Sequence, residues 1–437
     1  MSTPNLKDSQ GETFLQQAPN TLGKIFHKLA VGFGRILVLI FTIVLCLPVV
    51  LLPLSTAVPA WACILLGILD VTLFILQFSL RPTRSRIPVS LAGILVVAIL
   101  AIIASQVFAA TPVITDASGK PLSGSIASLE KVNLNGIEQW ISIRGQNINK
   151  PILLNLGMGG PGGSGFTTRT LFEPLEKDFI VVSWDEPGTG KSYHAVPIST
   201  LTPQRFIDDG HALTQYLLER FARDKIYVYG TSWSSIPGIW LVRQYPEQYY
   251  AFIGNGQMVN TTENDIQGYE LALDYLTSKG DTKMVETLRR NGPPPYSGEN
   301  VVNKYVAYLD VLNDYMGGLH YTFAVPIIPF FAPEYGYVDK INHTLGLIKS
   351  FNVIYPQLKD LDFITQANKL EVPVYFFAGR DDVNAMSSIV ERYFNVLEAP
   401  HKDLIWLAGG HGLGEENLSQ FVDVMVNKVL VETYPTH

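Results

Sequence analysis

Charge is scarce in this 437-residue chain, and the scarcity is uneven. Asp, Glu, Lys and Arg make up 16% of the residues, where ordinary soluble domains carry about 25%. No charge occurs between Arg35 and Asp70, only Asp70 interrupts the span up to Arg81, and none occurs between Arg86 and Asp116. These gaps argue against a wholly soluble chain and against a disordered one. Cysteine is nearly missing too. Cys46 and Cys63 both lie in the apolar region, so the 327 residues after Ala110 can form neither a disulfide framework nor a Cys-ligated zinc site. An excess of positive charge is also lacking. Residues 111–437 hold 25 Lys and Arg against 36 Asp and Glu, which argues against nucleic acid as a partner.

The long apolar runs that remain are residues 36–54, 57–80 and 87–110, of 19, 24 and 24 residues. At about 1.5 Å per residue, each helix would cross roughly 30 Å of hydrocarbon. Pro48 and Pro53 are expected to kink or end the first. Lys7, Lys24, Lys28 and Arg35 precede the first run, and Arg81, Arg84 and Arg86 separate the second from the third. Cations favour the cytoplasmic side. The sequence therefore predicts a multi-pass protein of the cell membrane: residues 1–35 as a cytoplasmic segment, 36–110 as the membrane region, and everything beyond Ala110 extracytoplasmic. Val107-Phe-Ala109 offers an alternative, a cleavage site that would remove the third run, although signal peptides seldom follow two earlier spans. Asp70 falls in the middle of the second run. With no second intramembrane charge, it is expected to be protonated or hydrogen-bonded against a neighbouring helix.

Past Ala110 the pattern changes. Residues 111–123 hold Pro, Asp, Gly and Ser and read as a linker. Residues 126–134 and 137–144 read as strands joined at Asn135-Gly136. Apolar runs at 151–156, 178–184, 225–229, 250–254, 372–378 and 403–407 follow, alternating with helical patterns such as 203–222 and 232–244. This alternation predicts an α/β fold, a mostly parallel sheet covered on both faces. Residues 258–370 break the rhythm with helical patterns at 270–276, 282–290 and 301–316 and prolines at 293–295 and 326–333. They are expected to form a helical cap over the carboxyl ends of the strands, dividing the core into 124–257 and 371–437.

The run Gly230-Thr-Ser232-Trp-Ser234 follows one predicted strand and opens a helix. It approximates G-x-S-x-G, in which a tight turn exposes a serine hydroxyl at the sheet edge. A hydroxyl nucleophile needs a base, and the base an orienting acid. In folds with such a turn the chain order is serine, acid, histidine. One later strand ends Gly379-Arg-Asp381-Asp382, and the next ends Gly409-Gly-His411. Of the histidines beyond the acid, His401 precedes its strand and His437 is the last residue, which leaves His411. Asp382 is preferred to Asp381 as the acid. An oxyanion needs backbone N–H donors; the glycine-rich run from Gly157 to Gly165 supplies Gly160, and the residue after the nucleophile supplies Trp233. No metal or organic cofactor is needed.

Two other motifs compete. Gly157-Met-Gly159-Gly-Pro-Gly162 imitates a dinucleotide fingerprint, but Pro161 lies inside it and no helix opens promptly. Gly188-Thr-Gly190-Lys191-Ser192 imitates a phosphate loop, but Asp185 occupies the place of the required first glycine.

Taken in order, these segments resemble the α/β-hydrolase fold and, within it, the proline iminopeptidase-like serine peptidases. The matching stretches are Met158-Gly-Gly-Pro-Gly-Gly163, Asp185-Glu-Pro-Gly188-Thr-Gly190-Lys-Ser192, Gly230-Thr-Ser232-Trp-Ser-Ser235, Gly379-Arg-Asp-Asp382 and Gly409-Gly-His411. The resemblance spans 124–437. It implies a serine hydrolase with Ser232, Asp382 and His411 as triad and Gly160 and Trp233 as oxyanion donors, which the apolar runs ahead of it would anchor in the membrane. The implied activity is that of an aminopeptidase on short peptides, with a carboxylesterase or lipase, or a non-catalytic binding module, as alternatives. In the resembled group, acidic cap residues bind the substrate's free amino group; Glu263, Asp265, Glu270, Asp274 and Glu334 are the candidates here. The chain departs from the group in three ways. Met158 replaces a histidine, Thr231 and Ser234 replace turn glycines, and the three membrane runs are additional.

Overall fold

The computed structural model describes residues 18–78, 86–318 and 320–435. The loop cations Arg81 and Arg84, the N-terminal residues 1–17 and the end of the second expected span at 79–80 lie outside the described residues. Two compact units are present, one formed by residues 1–53 and 58–104, the other by 54–57 and 105–437.

The first unit is helical. The helices Ala18–Ser55, Ala60–Phe78 and Arg86–Val107 are each long and apolar enough to cross a membrane. The first begins well ahead of the expected 36 and carries through Pro48 and Pro53 to Ser55. Lys24, Lys28 and Arg35 therefore ride on the helix rather than on an irregular segment. Outer faces present exposed Ile36, Ile64 and Ile103, while Leu52, Ile94 and Ala101 are wholly buried between the helices. Gly93 lets the third helix approach Leu73 of the second, where a Cβ would stand 3.0 Å from the leucine methyls; small residues serve this purpose between membrane helices. Asp70 turns inward and is buried. It faces Cys46 of the first helix, an arrangement that suits the expectation of an acid lodged against a neighbour.

In the second unit, β1 (Ile126–Leu134) and β2 (Ile137–Gly145) form a hairpin. Asn135 and Gly136 take φ of 51° and 82°, the left-handed pair that a two-residue hairpin turn demands. The sheet continues with β3 (Ile152–Asn155), β4 (Ile180–Asp185), β5 (Ile226–Thr231), β6 (Tyr249–Asn255), β7 (Val374–Gly379) and β8 (Lys402–Leu407). Its eight strands run β1-β2-β4-β3-β5-β6-β7-β8. β2 pairs antiparallel with both β1 and β4; all other neighbours are parallel.

Strand side chains alternate between two cores. Leu154, Val182, Val228 and Phe376 pack with Phe206, Leu213 and Leu217 of the helix Pro203–Phe221 and Ile236 and Ile239 of the helix Ser235–Gln244. Leu153, Val181, Tyr227 and Phe377 point the other way, onto Phe172, Phe421 and Met425. Because both faces are covered, β3, β4, β5 and β7 are buried throughout. The chain moves outward from β3 to β4, then crosses back to β5 on β3's other side. This reversal opens a crevice beyond the carboxyl ends of β3 and β5.

Between β6 and β7 the described residues form the helices Thr261–Lys279, Thr282–Asn291, Val301–Tyr315, Tyr321–Ile327 and Tyr337–Ile354. The first is much longer than the periodicity at 270–276 indicated, because its N-terminal half is capped by Asn260 and buries Asn264 and Asp265 as well as apolar groups. The last two were not anticipated. Tyr337–Ile354 buries Leu347 on one side and exposes Ile341 and Ile348 on another, so no single apolar stripe marks it.

Candidate active site

The turn after β5 is built by crowding. At Gly230 a Cβ would lie 2.5 Å from the carbonyl oxygen of Ser234 and 2.8 Å from the Cα of Ser235, so no larger residue fits. Ser232 takes φ of 53°, a left-handed conformation that costs a residue with a Cβ about 1–3 kcal/mol. Helix follows at once, through a short turn at Ser232–Ser234 and then Ser235–Gln244. Ser234, standing where the resembled group has glycine, is used by the turn. Its hydroxyl accepts from the Thr231 N–H at 2.8 Å and donates to the Gly157 carbonyl at 2.7 Å. Thr231 likewise accepts from Asn255 Nδ2 at 2.9 Å.

His411 and Asp382, 29 positions apart, meet at 2.8 Å between Nδ1 and Oδ2. Asp382 is buried, and its other oxygen accepts the N–H groups of Asn384 and Ala385, each at 2.9 Å. Asp381 is exposed. Burial of the His411 ring opposes its protonation, but the charge and hydrogen bond of Asp382 prevail, and its pKa lies above the ordinary histidine value. Thr231 pairs with Asn255 across the sheet, so Ser232 and Gly256 leave adjacent strands side by side. The His411 ring rests on Gly256, where a Cβ would come within 2.8 Å of Cε1. The sequence reading missed Gly256; a glycine ending a strand carries no distinctive signal until its neighbour across the crevice is known.

After β3, Gly157, Gly159, Gly160 and Gly162 all adopt positive φ. Gly160 faces Leu347 and Phe351 of the helix Tyr337–Ile354. Glu186, also missed, holds this loop to the turn. Its buried Oε2 accepts the N–H groups of Gly162 at 3.0 Å and Gly163 at 3.2 Å, and Nε1 of Trp233 donates to its carboxyl at 3.2 Å. Beside it Asp185 accepts from Ser164 and Tyr335, both at 2.5 Å, and from the Lys191 N–H at 2.9 Å. Burial raises Asp185 to about 7 and Glu186 to about 8. Their position in Asp185-Glu-Pro-Gly188 was visible in the sequence, their structural use was not. The Met158 side chain is half-buried and its carbonyl accepts the Ser164 N–H at 3.4 Å.

The five acidic candidates separate. Glu270 and Asp274 are exposed, Glu263 is paired with Arg392, and Glu334 with Arg169 and Thr111. Asp265 alone among them is buried without a cationic partner among the described residues. It accepts from Tyr355 at 3.1 Å, and burial lifts it to about 7 against the pull of surrounding tyrosine hydroxyls. The Tyr355 ring stacks on Phe351 at 4.4 Å, and Phe351 adjoins Gly160. The neighbouring Asn264 bonds the Met386 N–H and the Asn384 carbonyl, in the loop that carries Asp382. Among the described residues no group of three or more metal-ligating side chains is assembled.

A curated relative, the "probable aminopeptidase" YbaC of Bacillus subtilis (strain 168), is 28% identical over 289 residues, covering 64% of this chain and 89% of YbaC. A proline iminopeptidase-related protein from Thermus thermophilus superposes with a TM-score of 0.51 at 18% identity, over 71% of this chain and 99% of its own. The proline iminopeptidase of Mycobacterium smegmatis gives 0.50 at 16% identity, over 70% and 99%. No protein-family model matches the chain. The second unit has the α/β-hydrolase fold expected from the motifs, and its structural neighbours include proline iminopeptidase-like proteins.

Two outcomes are expected. Gly256→Ala forces the imidazole aside at a strained φ; if His411 acts as a base, displacements near 1 Å reduce turnover about 10²-fold, and kcat measured on folded variant protein checks this. The second concerns pH. Glu186, ordinarily near 4.5, stands at about 8 when folded, so the folded state holds a proton that the unfolded chain releases. Its contribution to stability is full below about 4.5 and lost as pH rises through about 8. Thermal unfolding between pH 5 and pH 8 should show stability falling with pH, with a smaller slope in Glu186→Gln.

Proposed function

We propose that this chain is a membrane-anchored serine hydrolase. The observation that carries the reading is the His411–Asp382 pair, 2.8 Å apart, whose imidazole rests on Gly256 at the end of the strand beside the strained Ser232 turn. In the proposed mechanism Asp382 holds the imidazole with its Nδ1 proton inward, leaving Nε2 to accept the Ser232 proton as Oγ attacks a substrate carbonyl. The negative charge that develops on the carbonyl oxygen is received by the N–H groups of Gly160 and Trp233. The imidazolium then protonates the departing amine or alcohol, which leaves an acyl-serine. Water enters, His411 takes its proton, and hydrolysis releases the acid and restores the hydroxyl. Every group required is a side chain or backbone N–H of this chain, so the scheme calls for no cofactor.

Aminopeptidase action on short peptides, of proline iminopeptidase type, is the favoured substrate reading. It is supported by the name of the YbaC relative and by Asp265. A buried carboxyl without a cation, raised to about 7, regains its charge when a substrate ammonium arrives beside it. The aromatic, proline-rich segment around Phe330 and Phe331 favours a second reading, an esterase or lipase with an apolar acyl group. The helices Ala18–Ser55, Ala60–Phe78 and Arg86–Val107 anchor the enzyme in this proposal, and the cation pattern supports an N-terminus in the cytoplasm with the hydrolase unit outside.

A fluorophosphonate probe should label the wild-type chain and leave Ser232→Ala unlabelled; labelling that persists in the variant rejects Ser232 as nucleophile, and a wild type that binds ligand without labelling favours a non-catalytic module. For substrate class, turnover of proline- and alanine-arylamides is to be compared with that of short-chain aryl esters. Asp265→Asn should raise KM about tenfold or more for the amides, the scale of a lost charge-assisted hydrogen bond, and leave ester KM nearly unchanged. Ester turnover without amide turnover in the wild type removes the peptidase reading.

A further inference from the structure

The second unit contains one more charge-free segment, which carries none of the candidate triad or oxyanion residues. From Tyr315 to Pro333 no Asp, Glu, Lys or Arg occurs. The structure turns much of it outward: Phe323 is 65% exposed, Ile327 57% and Phe331 68%. The next helix, Tyr337–Ile354, continues the surface with exposed Val338, Ile341, Leu345 and Ile348. These four are spaced by three, four and three residues, so they form one stripe along the helix. The two parts are fastened together, because Lys340 Nζ donates to the carbonyls of Pro329 at 3.0 Å and Ala332 at 2.7 Å. Soluble monomers seldom leave so much contiguous apolar surface open to water.

The position of this surface identifies what covers it. The helix Arg86–Val107 ends where the chain leaves its apolar run. Ser105 Oγ accepts the Tyr337 N–H at 3.0 Å, and Gln106 Oε1 accepts the Val338 N–H at 3.2 Å. Gly336 lies so close to Gln106 that a Cβ there would collide with it. Just beyond, the Ala110 N–H donates to the Pro333 carbonyl at 3.2 Å, and Thr111 donates to Glu334 at 2.9 Å. The segment 333–338, which joins the two exposed apolar parts, is therefore tied to the end of the third membrane-crossing helix. Tyr321–Ile327 and the following turn are too short to cross a bilayer and are interrupted by Pro326 and Pro329. That leaves the interface, where short apolar and aromatic elements settle among headgroups and upper acyl chains.

We propose that the apolar face formed by Phe323, Ile327 and Phe331 with the outer stripe of Tyr337–Ile354 docks into the lipid interface of the bilayer that the chain's own N-terminal helices cross. The inner side of the same helix presents Leu347 and Phe351 to Gly160. One helix thus has lipid on its outer face and the candidate oxyanion loop beneath its inner face. The proposal rests on the reading of residues 18–107 as membrane spans and is independent of the hydrolase reading.

The test uses the full chain, with Cys46→Ser and Cys63→Ser to clear native thiols, in vesicles of phosphatidylcholine and phosphatidylglycerol at a ratio of about 3:1. A nitroxide is attached at Phe331→Cys or, separately, at Ile341→Cys; both side chains are exposed, so no core packing is lost. Val96→Cys on the third helix and Arg290→Cys on the exposed end of Thr282–Asn291 serve as references. Power saturation then compares collision with oxygen, which concentrates in lipid, and with a water-soluble nickel chelate. The expected result is lipid-like accessibility at 331, 341 and 96, and water-like accessibility at 290. Water-like accessibility at 331 and 341 with 96 still in lipid overturns the docking. Shielding of both patch sites from both reagents overturns it in favour of a protein partner or second copy. Water-like accessibility at 96 removes its premise, and the proposal with it.

Discussion

The turn after β5 is the constraint around which the second unit is arranged. The chain must stop being a strand and become a helix within one residue, which it does by placing Ser232 at a φ of 53°. Such a conformation costs about 1–3 kcal/mol and persists only where its surroundings over-determine it. Several neighbours do so. Gly230 admits no Cβ, the Ser234 hydroxyl closes the turn on Thr231 and Gly157, and the Trp233 indole is held by Glu186. The turn sets Ser232 at the carboxyl end of β5, beside the strand after which Gly256 meets the His411 ring.

A second theme is the use of buried acids without counter-cations. Asp185 and Glu186 sit under the glycine loop, and Asp265 sits in a tyrosine-lined pocket between Phe351 and the loop of Asp382. Isolation from water favours the neutral form of each. Glu186 and Asp185 compensate through hydrogen bonds that fix two loops and the Tyr335 segment. Asp265 is surrounded by tyrosine hydroxyls, of which Tyr355 donates to it at 3.1 Å. Asp382 differs from all three in its partners, two backbone N–H groups and the His411 imidazole.

The region between β6 and β7 faces two ways. One side of Tyr337–Ile354 closes over the glycine loop, and the other is an apolar surface joined through residues 333–338 to the last turn of the helix Arg86–Val107.

Much of this was legible in the residues because the signals are local. Apolar runs marked the membrane helices and the strands, Asn135-Gly136 fixed the hairpin, and the ordered glycine, serine, aspartate and histidine segments pointed to an α/β-hydrolase sheet. Periodicity failed for Tyr337–Ile354, which is apolar on opposed faces, and for the first half of Thr261–Lys279, which buries polar groups. The contacts of Glu186 and Gly256, the separation of Asp265 from four other acids, and the burial of Asp382 beside an exposed Asp381 were decided only by the tertiary structure. Each depends on what stands opposite across a crevice or loop, at sequence distances from 23 positions for Glu186 and Gly163 to 155 between Gly256 and His411. The sequence determined which segments would be strand, helix or membrane span, since backbone propensity and hydrophobic pattern act over a few residues. Burial and pairing of charges arise only when distant segments close on one another and exclude water, and that closure selected which side chains meet at the candidate site.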